Sequence, residues 1–242
     1  MLVTLLTEAK FVAYGVSHWI ALAILAVLAV AAARVGRCVR GGPRERLCNR
    51  GFAIVLLTTE IGFQVYSMLP GNWGLEHSLP FELCDLAWIA AAVALWTRKP
   101  WAAGMVYYWG LTLTLQALLT PKRLDPFPSA MFCMFFISHT LTVVAAVYLT
   151  WGIGLRPSWR SLGITVAATA GWGIAMLAFN SLAGTNYLFV NAKPQTSGSV
   201  FDVMPAWPWY LFVEFALGVA VWAMLTVPWR LAAPLATAIE SD

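Results

Sequence analysis

The stretch Ser17-His18-Trp19-Ile20-Ala21-Leu22-Ala23-Ile24-Leu25-Ala26-Val27-Leu28-Ala29-Val30-Ala31-Ala32-Ala33, closed by Arg34, Arg37 and Arg40, decides the class of fold. Residues 17–33 contain no Asp, Glu, Lys or Arg. At about 1.5 Å per residue they reach roughly 25 Å, close to the ~30 Å hydrocarbon core of a bilayer. Arginines crowding one end are what cytoplasmic flanks of a span carry. Working outward, similar apolar runs lie at 51–69, 79–97, 101–119, 129–152, 160–182 and 208–229. Turn signals separate them: Gly41-Gly42-Pro43, Pro70-Gly71-Asn72, Lys99-Pro100, Asp125-Pro126 and Arg156-Pro157. Ser78 reads as the N-cap of the third run, with Pro80 in its first turn.

Composition agrees. The chain is 60% hydrophobic and 11% charged, with a mean hydropathy of +0.74. A soluble domain carries about 25% charge, so this much apolar surface needs a bilayer. The 13 Trp suit headgroup-level belts. The net charge of +4 sits in loops rather than in a nucleic-acid patch. Residues 2–14 lack early positive charge and are broken by Glu8 and Lys10, so they read as a short interfacial helix rather than a signal peptide. Residues 1–242 read as one transmembrane domain.

Lys and Arg set the orientation. With seven spans, Arg34, Arg37, Arg40, Arg44, Arg46, Arg50, Arg98, Lys99, Arg156, Arg160 and Arg230 share one side. Lys10, Lys122, Arg123 and Lys193 share the other, so the division is 11 against 4. The first side is cytoplasmic by the positive-inside rule. The expected fold is an all-α polytopic membrane helix bundle of about seven transmembrane helices, N-terminus out and C-terminus in. Six spans with one re-entrant segment fit the alternation of basic loops less well.

Polar residues inside spans are costly and face the bundle interior or a wet cavity. Here they favour one depth. His18 opens span one at its outer end. Glu60, Gln64 and Ser67 follow i, i+4, i+7 up the outer half of span two. Glu82, Cys84 and Asp85 stand at the outer end of span three. Trp109, Thr112, Gln116 and Thr120 form a stripe rising to the outer end of span four. His139 lies in span five, Asn180 ends span six and Glu214 is two turns into span seven. The cytoplasmic halves hold almost nothing polar, so the pattern predicts a polar cavity opening outward.

Each residue also has a plain packing reading. Gln, Asn and Thr bond neighbouring helices, and Glu60 or Glu214 could pair with His18. A lone Cys in an apolar helix is usually a small hydrophobe. Read chemically, a Cys and a His in reach of each other make a nucleophile and its base, with Gln, Asn or backbone N–H groups as oxyanion donors. On a continuous helix Cys84 and Glu82 stand about 200° apart, and Asp85 is nearer in angle. Cys38 and Cys48 lie in a basic loop without CxxC spacing, and no HxxxH or HExxH occurs, so neither a metal nor another cofactor is implied. A Cys84–Cys133 disulfide is disfavoured because it would quench the nucleophile.

Several strings occur together: Leu79-Pro80-Phe81-Glu82-Leu83-Cys84-Asp85-Leu86, Tyr108-Trp109-Gly110 running to Leu115-Gln116-Ala117-Leu118-Leu119-Thr120-Pro121, and Phe135-Phe136-Ile137-Ser138-His139. Gly184-Thr185-Asn186-Tyr187-Leu188 with Lys193-Pro194, and Trp207-Pro208-Trp209-Tyr210, come later. Across about residues 10–230 the chain resembles the bacterial YwaF-like integral membrane family, whose eukaryotic relative is transmembrane protein 164. That relative is regarded as a Cys-dependent acyltransferase that remodels ether phospholipids. A more distant similarity runs to the androgen-induced-gene group of intramembrane hydrolases, which use Thr and His. The resemblance implies Cys84 as nucleophile and His139 as base, in a bacterial cytoplasmic membrane.

The expected function is therefore an acyltransferase or lipid hydrolase acting on membrane phospholipids. Gln116, Asn180, Asp85 and Glu214 would hold the oxyanion or orient the pair. His18, Glu60, Gln64, Glu82, Thr112 and Asn186 would line the cavity. Two other classes compete: a non-catalytic lipid or small-molecule carrier using the same cavity, and a structural subunit. The polar track stops halfway through the membrane and no repeated Gly/Pro-broken spans occur, which weighs against a carrier.

The arginine asymmetry makes a direct prediction. A single cysteine placed within 34–50 is expected to resist an impermeant maleimide in intact cells and to react once the membrane is permeabilised. Labelling before permeabilisation would refute the orientation.

Overall fold

The computed structural model describes residues 10–121, 124–194 and 203–239, with side chains as far as Leu231. Among these residues seven long helices and no strand form the bundle. They are α1 (Val16–Val39), α2 (Glu45–Ser67), α3 (Leu83–Thr97), α4 (100–119), α5 (Ala130–Gly152), α6 (Trp159–Ala183) and α7 (Trp209–Ile239). The chain is an all-helical integral membrane protein. Helices α1, α5 and α6, with Trp209–Leu231 of α7, are each long and apolar enough to cross a membrane. Helix α2 is as long but carries Glu60 and Gln64 inward, which lowers its hydropathy. Helix α3 has only 15 residues.

Two expectations about ends are corrected. Helix α3 does not begin at Ser78. Leu79-Pro80-Phe81 is non-helical, and Glu82 is the N-cap. The reason is local. The Glu82 N–H donates to the Asp85 carboxylate at 2.9 Å, while Ser78 Oγ accepts from the Gly74 N–H at 3.0 Å and so closes a different turn. Of the proposed helix 2–14, residues 1–9 lie outside the described residues. Residues 10–14 are bends and turns, with Tyr14 at positive φ.

Helix α4 is continuous but contains a π segment, Gly110–Thr114. Helix α5 ends in another, Tyr148–Gly152. A π turn holds an extra residue, so faces drawn at 3.6 per turn lose register across it. The predicted stripe from Trp109 to Thr120 is broken there. Trp109 donates to Thr169 on α6, Thr112 accepts from the Trp222 indole on α7, and Gln116 is exposed.

The core is rich in alanine. Ala53, Ala87, Ala91, Ala94 and Ala102 are fully buried beside Leu56 and Tyr108. Small side chains let backbones approach where lipid supplies no hydrophobic drive. A close backbone approach joins α1 to α5: a Cβ on Gly36 would lie 2.6 Å from the Gly152 Cα. The basic loops gather at the same end. Arg98 pairs with Glu45 at 2.9 Å, Arg37 donates to the Trp151 carbonyl at 3.2 Å, and the Arg156 guanidinium lies 5.8 Å from the Trp229 ring centroid.

That half of the bundle is more polar than its sequence suggested. Trp229 donates to the Tyr107 hydroxyl, Tyr107 to the Leu225 carbonyl, and Tyr108 bonds Thr226. Tyr148 donates to Asn49 at 2.6 Å. The sequence reading gave Tyr107, Tyr108, Tyr148 and Trp229 no polar role and so missed this belt of aromatic hydroxyls and indoles.

The glycine contact gives a stability test. Gly36→Val is expected to cost about 1–3 kcal/mol by overpacking, read as a lower melting temperature in detergent. Gly173→Ala, where a Cβ meets nothing within 4 Å, is expected to gain about 0.5–1 kcal/mol from helix propensity.

Candidate functional site

The site is built from the turn that precedes α3. The segment between α2 and α3 offers backbone groups with no helix to satisfy them, and side chains from elsewhere do so. Gln64 donates to the Ser78 carbonyl at 2.7 Å. The Trp172 indole on α6 donates to the Phe81 carbonyl at 2.9 Å. The Tyr187 hydroxyl accepts from the Leu79 N–H and donates to the Leu75 carbonyl at 2.7 Å. Burial pushes the Tyr187 phenol above its ordinary value, so it keeps the proton it donates. Phe81 is ringed edge-on by Trp172, Phe179 and Tyr187. These contacts fix where α3 starts, and so where Cys84 stands.

Cys84 is the second residue of α3. Its sulfur faces the backbone N–H groups of Cys84 and Asp85, and its thiol bonds no side chain among the described residues. The N–H groups of Leu83 and Cys84 belong to the first turn, which has no intrahelical acceptor for them. Three carboxyl groups surround this turn. Asp85 takes the Glu82 N–H and the Trp88 side chain, and it lies within electrostatic reach of Glu82 and Glu60. Glu60, 5% exposed, accepts from the Ser138 hydroxyl at 2.7 and 2.8 Å. That bond ties α2 to α5 one residue before His139.

His139 is half-buried. Its Nδ1 lies 2.9 Å from the Phe135 carbonyl, and its ring lies 4.3 Å from that of Phe135, centroid to centroid. A carbonyl only accepts, so Nδ1 carries the proton and Nε2 is left with its lone pair. The backbone, not a carboxylate, orients this imidazole.

The remaining predicted residues divide among separate places. Asn180, 2% exposed, is saturated: its amide donates to the Tyr187 carbonyl and Asn191, and accepts from Thr185 and the Tyr187 N–H. Asn186 folds the same loop through Ala192 and Asn191. His18 is fully buried beside Phe11, Tyr14 and Phe136. Its Nδ1 accepts from the Tyr14 N–H at 2.8 Å, so Nε2 donates to the Leu118 carbonyl; it pairs with neither Glu60 nor Glu214. Gln116 and Glu214 are exposed. Among the described residues these side chains are not brought together in one place. Glu60, Glu82, Cys84 and Asp85 gather at the start of α3, Ser138 of α5 bonds Glu60, and His139 follows Ser138 in the chain. The four cysteines are free.

Comparison with known families matches residues 13–226 to the TMEM164 family. The chain belongs to that family. No curated protein and no solved structure gave a match.

Within this TMEM164-family chain, sequence reasoning passed over Ser138, Trp172 and Tyr187. Ser138 could have been found by asking what satisfies Glu60 in a span. Trp172 and Tyr187 carry no such signal, since their partners are backbone carbonyls and N–H groups distant in sequence. Asn180→Ala would strand the Tyr187 N–H and carbonyl in a buried place. The expected loss is about 1–3 kcal/mol for each group left unpaired, measured as a lower melting temperature, whereas Gln116→Ala should stay within about 0.5 kcal/mol.

Proposed function

We propose that this protein is an intramembrane acyltransferase or acyl hydrolase of phospholipids, with Cys84 as nucleophile and His139 as base. In this reading seven spans place the start of α3 in the outer leaflet of a bacterial cytoplasmic membrane. The observation that supports it is the state of two groups, one at the start of α3 and one on α5, which the Glu60–Ser138 bond and the Asp85 carboxyl link through α2. One is a thiol, free of side-chain bonds, on a helix N-terminal turn. The other is an imidazole locked in the tautomer that leaves Nε2 able to accept a proton. Membership of the TMEM164 family supports the same assignment.

The steps balance as follows. With three carboxyl groups nearby, Cys84 reacts as a thiol whose proton leaves during attack. His139 Nε2 takes that proton as Sγ bonds to the ester carbonyl carbon. The first-turn N–H groups of Leu83 and Cys84 hold the oxyanion, because the Asn180 amide is committed and Gln116 faces outward. The C–O bond breaks, His139 returns the proton to the departing lysolipid oxygen, and an acyl-thioester remains. An alcohol of a second lipid, or water, attacks the thioester while His139 takes its proton. The sulfur leaves and regains the proton. A carrier would need its polar groups in one continuous cavity, and here they are divided.

Purified Cys84→Ser and His139→Ala are expected to keep the wild-type melting temperature. Both should lose acyl transfer, by about 10²–10⁴-fold for the base, and Cys84→Ser should lose labelling by an acyl-activity probe. Undiminished transfer by Cys84→Ala would defeat the proposal.

A further inference from the structure

A concavity lies away from Cys84. It is a groove of about 400 Å³ between α1 and α5. Ile20, Ile24 and Leu28 line one wall, and Phe132, Ile137 and Leu141 the other. The Cys84 cluster contributes none of its lining, and Ser138 leaves α5 on another face toward Glu60. From Ser17 to Leu28 the groove runs along eleven residue steps of α1, about 16 Å at 1.5 Å per residue. One leaflet of the hydrocarbon core is about 15 Å deep. The groove therefore ends near the midplane, on the side of the α1 N-terminus, which is the outer side by the arginine rule.

Its two ends differ in chemistry. The deep end at Leu28 and Leu141 is largely apolar, with Thr140 as its one polar side chain. The outer end holds Ser17, which is 5% exposed and whose hydroxyl has no hydrogen-bond partner among the described residues. A buried hydroxyl without a partner is unusual in a folded protein. Beyond it, Phe11 packs on Phe132 and His18, and the preceding residue, Lys10, is exposed. From its outer end inward the groove offers the Ser17 hydroxyl and a leaflet-deep, largely apolar trough, and Lys10 stands exposed just before the Phe11 that packs on Phe132. A glycerophospholipid offers an ester carbonyl and an acyl chain in the same order, with a phosphate outside them.

We propose that the α1–α5 groove is a binding site for one acyl chain of an outer-leaflet phospholipid, with its ester beside Ser17 and its phosphate toward Lys10. The site is separate from the Cys84 cluster and stands whether or not Cys84 is a nucleophile.

The test is photolabelling of the full chain in vesicles of phosphatidylethanolamine and phosphatidylglycerol carrying a mid-chain diazirine phospholipid, with labelled residues mapped by mass spectrometry. Label is expected at Ile20, Ile24 and Ile137 at least fivefold above Ile174 and Leu182, lipid-exposed positions on α6. Ile24→Trp, which fills the trough from a half-exposed position, should remove most of that excess and leave the melting temperature unchanged. Ile137→Trp fills the trough from the other wall and should do the same if Ile24→Trp fails to fold. Equal labelling of both faces would reduce the groove to ordinary annular lipid and overturn the proposal. So would labelling of the groove by a diazirine fatty acid but not by the phospholipid, or crosslinks from groove residues to a second copy of the chain.

Discussion

Peptide N–H and carbonyl groups that leave a helix at membrane depth find no water, and each left unpaired costs several kcal/mol. Helix α3, with 15 residues, covers only about 22 Å of a roughly 30 Å core. The chain before it must therefore be satisfied by protein. Gln64, Trp172 and Tyr187 do this from three different elements, and Asn180 holds Tyr187 in turn. Much of the outer architecture follows. The short α3 places a helix N-terminus, with its unused N–H groups and Cys84, below a cap of protein instead of in open headgroups.

The fold was legible because its determinants are one-dimensional. Apolar run length and arginine placement act locally, and they gave seven helices whose basic loops meet at one end. The start of α3 was not legible. Ser78 is the better cap by residue type, and the contest was settled against it by Gly74, whose N–H donates to its hydroxyl, and by Asp85, which takes the Glu82 N–H. The stripe on α4 failed for a related reason. Periodicity arguments assume an uninterrupted α-helix, and nothing in Gly110-Leu111-Thr112-Leu113-Thr114 announces a π turn.

The candidate site was legible in part. Cys84, Asp85, Glu82 and Glu60 were grouped by depth, and they do gather. Depth alone could not separate them from Asn180, His18 and Gln116, which stand at similar levels on other faces. A buried amide is also a poor guide to chemistry. Asn180 spends both donors and its acceptor on one loop. The half that carries the basic loops shows the opposite error. Its Tyr107 and Trp229 were given no polar role, yet they carry hydrogen bonds between α4 and α7.

The Gly36–Gly152 contact has a geometric consequence. Helices α1 and α5 run in the same direction, touch backbone to backbone near their C-terminal ends and leave a groove near their N-terminal ends. The pair is a wedge closed at one end. From Leu28 to Gly36 is about 12 Å along α1, all of it below the floor of the groove. On the lipid-binding proposal, a hydrocarbon tail entering the groove would meet a fixed stop, and a longer tail would have to curl or leave its upper carbons outside. The glycine pair would then set a length gauge, and its graduation would be the number of helical turns between the crossing and the open end of the groove.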